Sequence, residues 1–237
     1  MMATAQERQV WYNTRTFRLL LDSLARPGKQ DKLPAFAGTF PSYQAGHEAP
    51  KQANGFALGA MLSLLDREVS FAIAARGQWL APTDALVQWI ALCSNSGVAA
   101  PENADFVLFC DDACADLVSH LHVGTLLKPE ASATAFLCVD RLTQLSQYVV
   151  NEEKAYEEAG ALQLTLSGPG IEHTHEVVLW GLSQSMHSAL QHARQGYPLG
   201  IDLFLVDQEG GCIGLPRTTQ ISMRKHTKEV QAWPTSR

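Results

Sequence analysis

Apolar positions along the chain alternate between helical spacing and short unbroken runs. Val10, Phe17, Leu20, Leu21 and Leu24 recur at helical intervals between residues 5 and 26, and Pro27-Gly28 supplies a stop, since Gly readily follows a helix end. This predicts one amphipathic helix. Residues 29–50 mix Pro, Gly, Ser and Gln with isolated apolar side chains and predict mostly loop with one short strand. A helix over 54–65 then precedes a buried strand at 69–74. A helix opened by Pro82-Thr83-Asp84 carries Leu86, Val87, Trp89, Ile90 and Leu92, and a strand follows at 106–110.

Further on, the pattern predicts a short helix over 113–121, a turn at Lys128-Pro129-Glu130 and a fully apolar strand at 134–139. The last third reads as a strand at 162–167, a helix at 181–194 and strands at 201–206 and 212–215, with Gly210-Gly211 marking the hairpin turn between the last two. Helices and strands alternate early and a hairpin closes the chain, so an α/β fold is expected: a three-layer αβα sandwich with a mixed sheet. No internal repeat is visible. The acid-rich segment 151–159 reads as an exposed insertion. The Lys-, Thr- and Arg-rich tail 223–237 is expected to be mobile.

Composition narrows this picture. The chain has 237 residues, 46% of them apolar and 18% charged, which suits one ordinary globular domain over 1–237 and excludes disorder. Its formal charge of -6 opposes binding to nucleic acid or anionic lipid. The N-terminus lacks a basic region followed by an apolar one, and no apolar run has the length of a membrane span, so a cytoplasmic protein is expected. Five cysteines, an odd number, argue against a disulfide framework. Cys110, Cys138 and Cys212 lie in strand-like runs, where thiols act as small buried hydrophobes.

Candidate chemistry concentrates in two places. Ser167, Gly168 and Gly170 follow a strand in a Ser-Gly-Pro-Gly loop whose small residues either admit an anion to backbone N–H groups or simply make a tight turn. Arg217, Thr218 and Thr219 place a guanidinium and two hydroxyls on one short segment suited to a phosphate-like anion. The structural alternatives are a pairing of Arg217 with Asp202 across the hairpin or with a partner subunit. The pairs His120/His122 and His173/His175 would share a face on a strand, but two ligands do not make a metal site, and none is expected. Cys110 and Cys114 have the wrong spacing for a redox or zinc motif, and Asp111 or Asp112 is the expected cap of the next helix.

FRLLLDSLARPG (17–28), LKPEASATAFL (127–137), LQLTLSGPGI (162–171) and PLGIDLFLVDQEGGCIGLPRTTQI (198–221) resemble, in order, motifs of the H subunit family of bacterial carbon-phosphorus lyase. The PLGID turn followed by a hairpin and PRTT is the most specific. Ser132 stands where the family often has Gly, and the acidic segment departs from its pattern. The resemblance implies a fold similar to the large domain of pyridoxal-phosphate-dependent transferases. It also implies an accessory subunit acting with the G and I subunits, as a component of α-D-ribose 1-methylphosphonate 5-triphosphate synthase, to join phosphonate to the ATP ribose. Carbon-phosphorus bond cleavage belongs to a separate radical S-adenosylmethionine subunit. Partners implied are a second copy of the chain and the G, I and J subunits. A pyridoxal enzyme needs a Schiff-base lysine and an Asp for the ring nitrogen. The lysines here lie mainly in polar loops, tails and the acidic segment, so no cofactor is expected.

Overall fold

The computed structural model describes residues 4–144 and 161–224. The first helix, α1 (Ala5–Ala25), starts at a capping box: the Thr4 hydroxyl accepts the Glu7 backbone N–H at 3.2 Å, and the Glu7 carboxylate accepts the Thr4 N–H at 2.6 Å. Two of the four orphan donors at the helix start are thereby satisfied. Tyr12, Thr16, Leu20 and Ser23 form the buried face. The second helix, α2 (Gly55–Leu62), is apolar nearly all round because it is wedged inside. Its cap, Asn54, accepts the Phe56 and Ala57 N–H groups and donates to the carbonyl of Asp207 at 2.9 Å, fastening α2 to the main sheet.

The main sheet holds β1 (Asp31–Lys32), β2 (Ser70–Ala75), β3 (Gln78–Trp79), β4 (Gly97–Val98), β5 (Phe106–Phe109), β6 (Thr134–Cys138), β10 (Asp202–Val206) and β11 (Gly211–Leu215). Its order is β1-β11-β10-β6-β5-β2-β3, with β4 also on β2. The strands β10, β6, β5 and β2 run parallel, and the hairpin partner β11 runs antiparallel to β10. Their near-continuous apolar sequences follow from burial on both faces. Phe71, Ile73, Leu108, Phe136 and Phe204 face α1, α2 and a third helix, α3 (Ala85–Ser94), while Ala74, Val107, Phe109, Leu137 and Leu205 face the other way.

On that second face lie the 3₁₀ stretch Asp112–His120, α4 (Gln184–His192) and a second, antiparallel sheet. The small sheet is ordered β12-β8-β9-β7: β7 (Arg141–Gln144), β8 (Leu162–Ser167), β9 (His175–Trp180) and β12 (Gln220–Arg224). Periodicity does not predict β7, β9 or β12. Their runs are short and partly polar, and only pairing (β12 and β9 on β8, β7 on β9) and burial of Leu142, Leu164, Val177 and Leu179 make strands of them. The architecture is therefore mixed α/β with helices on both faces of a mixed sheet, plus this added sheet.

Three expected helices are shorter or of another type, α2 ending at Leu62 rather than at residue 65. Residues 112–120 form 3₁₀ turns broken at Cys114, capped by Asp111, whose carboxylate accepts the Ala113 N–H at 3.1 Å. Residues 181–183 stay outside α4 because Ser183 is its cap, accepting the Met186 N–H at 3.1 Å. The acidic segment 151–159 lies outside the described residues. Of the expected mobile tail, Met223 and Arg224 close β12 and 225–237 lie outside the described residues. Among the described residues no helix is long and apolar enough to cross a membrane.

Candidate functional site

The PRTT segment is the crossing between the two sheets: β11 ends at Leu215 and β12 begins at Gln220, paired with Ser167. Antiparallel pairing of Leu203 with Leu215 brings Asp202, the first residue of β10, level with Pro216-Arg217. The Asp202 carboxylate accepts the Arg217 backbone N–H at 2.7 Å, Nε at 3.4 Å and Nη2 at 2.9 Å. Arg217 Nη1 donates to the Pro129 carbonyl. Both side chains are mostly buried, so this pair is only weakly screened. The structural alternative considered for Arg217 is thus present in the geometry.

The Ser-Gly-Pro-Gly loop lies against the same crossing. A Cβ on Gly168 would stand 2.9 Å from the Thr218 carbonyl oxygen. Gly170, at φ +85°, would place one 2.7 Å from the Ala25 carbonyl oxygen at the end of α1. Both contacts require glycine. The tertiary structure thereby brings Ser167 and Gly168 beside the Thr218–Gln220 stretch, some fifty residues away in sequence, and sets Gly170 against the end of α1. Thr219 is buried, and its hydroxyl has no hydrogen-bond partner among the described residues.

Arg194, just beyond α4, completes the corner and was not singled out by the sequence. Its Nη1 donates to the carbonyls of Leu215 at 2.6 Å and Ile201 at 3.3 Å, and its Nη2 to those of Pro216 at 2.6 Å and Thr219 at 3.1 Å. The guanidinium gathers the orphan carbonyls where β11 turns away from the sheet. Burial pushes its pKa down to about 10; Asp202 opposes that and Arg217 adds to it. Nothing in the helical pattern separates it from a solvated arginine, because its burial comes from the crossing folding over it. A cavity of about 560 Å³ opens here, lined among others by Arg194, Arg217, Thr218, Tyr197 and Pro169. Two guanidiniums and one carboxylate make this corner locally cationic in an acidic chain.

The remaining candidates stay apart. His120 stacks on Trp79 and accepts its indole N–H at 3.2 Å, while His122 Nδ1 bonds to the Ala131 carbonyl. His173 is in a loop and His175 begins β9. Among the described residues no group of three or more His, Cys, Asp or Glu could hold a metal ion. Burial pushes the thiols of Cys114 and Cys138 up to about 12 and raises those of Cys110 and Cys212, which leaves all four protonated and inert near neutral pH. Asp111 and Asp112 accept backbone N–H groups of Arg76 and Ser183.

Comparison with known proteins agrees with the ordered motifs. Residues 4–222 match the family described as bacterial phosphonate metabolism protein (PhnH). Over 126 residues the chain is 30% identical to the putative C-P lyase subunit protein HtxG of Stutzerimonas stutzeri, a match that covers 53% of this chain and 55% of that relative.

Proposed function

Because the chain belongs to the bacterial phosphonate metabolism (PhnH) family, we propose that it is an accessory subunit of a cytoplasmic carbon-phosphorus lyase complex. In this reading it acts with the G and I subunits while ribose 1-phosphonate 5-triphosphate is formed from ATP and a phosphonate. It pairs with a second copy when isolated, contacts the G, I and J subunits in the assembly, and uses no cofactor. Its mixed sheet with helices on both faces is in keeping with the large domain of pyridoxal-phosphate-dependent transferases, a fold that does not carry the chemistry with it.

The observation that carries the accessory reading is the engagement of both buried cations of the corner. Arg194 is committed to four backbone carbonyls, and Arg217 to Asp202 and Pro129. These bonds hold the sheet crossing together. A second reading rests on Arg194, Arg217 and Thr218 lining the cavity: the corner, with Thr219, Ser167, Gly168 and Gly170, receives an anionic group of the substrate.

Phosphonate-plus-ATP turnover by the reconstituted complex carrying Arg217→Ala, with assembly followed by size-exclusion chromatography, separates them. The accessory reading expects assembly and turnover to fall together. Intact assembly with turnover lost would sink it in favour of the anion site.

A further inference from the structure

The cationic corner has a rim that the fold leaves in water. Residues 123–129 are fastened to it at both ends: the Val123 carbonyl accepts the Gly200 N–H at 2.8 Å, and the Pro129 carbonyl accepts Arg217 Nη1. Between these points Thr125 and Lys128 exchange both backbone hydrogen bonds, at 3.2 and 3.1 Å, and the Thr125 hydroxyl accepts the Lys128 N–H at 3.0 Å. The turn is therefore closed and pinned. Its two central positions, where Gly, Pro, Asn and Asp are the usual residues, carry Leu126 and Leu127, 78% and 88% exposed. Tyr197, 70% exposed, lines the cavity together with Arg217. Polar capacity is left over inside. Arg194 and Arg217 bring two positive charges against the one carboxylate of Asp202, and neutral carbonyls offset none of that charge. Each terminal nitrogen of Arg217 keeps one N–H without a partner among the described residues. Thr219, another cavity residue, is 4% exposed with its hydroxyl unpartnered among the described residues, a costly state for a buried donor.

We propose that this rim and its cavity dock a different polypeptide, one that offers an apolar hollow to the Leu126-Leu127 tip and an aspartate or glutamate side chain to the cavity. The inference rests on the accessory-subunit reading and assigns its contact surface. Shape and charge together select this occupant. A small anion satisfies the cavity, but it leaves two leucines on a pinned turn with nothing to bury them. A purely apolar surface buries the leucines and Tyr197, but it seals a net positive charge away from water without compensation. A carboxylate beside an apolar hollow answers both demands. The planar guanidinium of Arg217 has N–H groups to spare for it, and the bond is charge-assisted. Tyrosine and arginine are also the side chains that most often anchor one protein on another, at positions where a ring and a guanidinium are desolvated together. Because the chain as a whole carries a charge of -6, an acidic partner is repelled elsewhere and drawn to this corner, which fixes the orientation of the encounter.

Binding of the full chain to an assembly of the G, I and J subunits, followed by biolayer interferometry, tests this. The double variant Leu126→Glu, Leu127→Glu is expected to weaken the association about 30-fold or more, since it sets two charges against the apolar hollow. Thr218→Glu, which offers Arg217 a carboxylate from its own chain, should weaken it roughly tenfold. Both variants should keep the wild-type urea midpoint, because the substituted side chains are at the surface or the cavity mouth. Wild-type affinity should also fall several-fold between about 0.05 and 0.5 M salt as the attraction is screened. Full affinity in the double variant overturns the surface and leaves the subunit reading intact. A wild-type chain that does not bind the assembly at all removes that reading and the inference with it. Normal binding by both variants, with turnover lost in the complex that carries Thr218→Glu, gives the cavity to a substrate anion and overturns the docking.

Discussion

The corner around Arg194 and the outer face of α1 depart from ordinary residue placement in opposite directions. In the corner, Arg194 is buried and Arg217 mostly so, and both guanidiniums donate to buried or part-buried carbonyls. On α1, valine, phenylalanine and leucine face solvent. A buried charge must be compensated inside the protein or the fold is destabilised, so the corner's partners are all internal. Exposed apolar side chains cost a folded chain little, so the α1 stripe needs no internal partner. Residues of the first kind hold the chain's own shape, and those of the second kind bear on association.

The largest effect should follow from breaking the corner. Arg194→Ala leaves four carbonyls without their donor and should lower urea-unfolding stability by about 3 kcal/mol or more. Arg194→Lys should recover only part, since an ammonium cannot span four carbonyls as a planar fork does. Gly170→Ala attacks the contact between the corner and the end of α1. A left-handed backbone and a Cβ too close to the Ala25 carbonyl should cost about 2 kcal/mol in the same measurement. For Arg217→Ala, with the Asp202 carboxylate left mostly buried, a loss of about 1–2 kcal/mol is expected.

A smaller, pH-dependent effect belongs to His187, buried on α4 with neither ring nitrogen partnered among the described residues. Burial lowers its pKa in the folded state below the ordinary value of 6.5. The unfolded chain therefore binds the proton more readily, so the stability contribution is present above that value and is lost as pH falls toward the folded pKa. Urea midpoints compared at about pH 7.5 and pH 5.5 should fall with pH, and His187→Leu should flatten part of that fall. Phe17→Glu should have the least effect on folding, within about 0.5 kcal/mol for the monomer, because half the side chain already contacts water. A loss comparable to that of Arg217→Ala would erase the contrast between the two regions.

Much of the fold was legible where the apolar pattern was strong. The parallel strands around Ile73, Leu108, Phe136 and Phe204, the amphipathic α1 and the Gly210-Gly211 hairpin all appear where expected. The small sheet was not, because β9 borrows its strand character from pairing with β8, and β7 in turn from pairing with β9. In the corner, Asp202 and Arg217 were legible as a pair and Ser167 and Gly168 as a loop. Arg194 was not, since its spacing is that of any exposed helix end. Cys93 is exposed whereas Cys114 is buried, a division that spacing alone did not predict.

The sequence by itself determined which segments become helices and parallel strands, that the chain belongs among phosphonate metabolism proteins, and that one face of α1 would be buried. Those are local or ordered properties, carried by periodicity and by motifs read along one dimension. The tertiary structure alone decided that the PRTT segment bridges two sheets, that Arg194 lies beneath it, and that a second apolar stripe on α1 is left in water. Each depends on which surfaces meet when distant segments close over one another, and a linear pattern does not encode burial that is set by its neighbours in space.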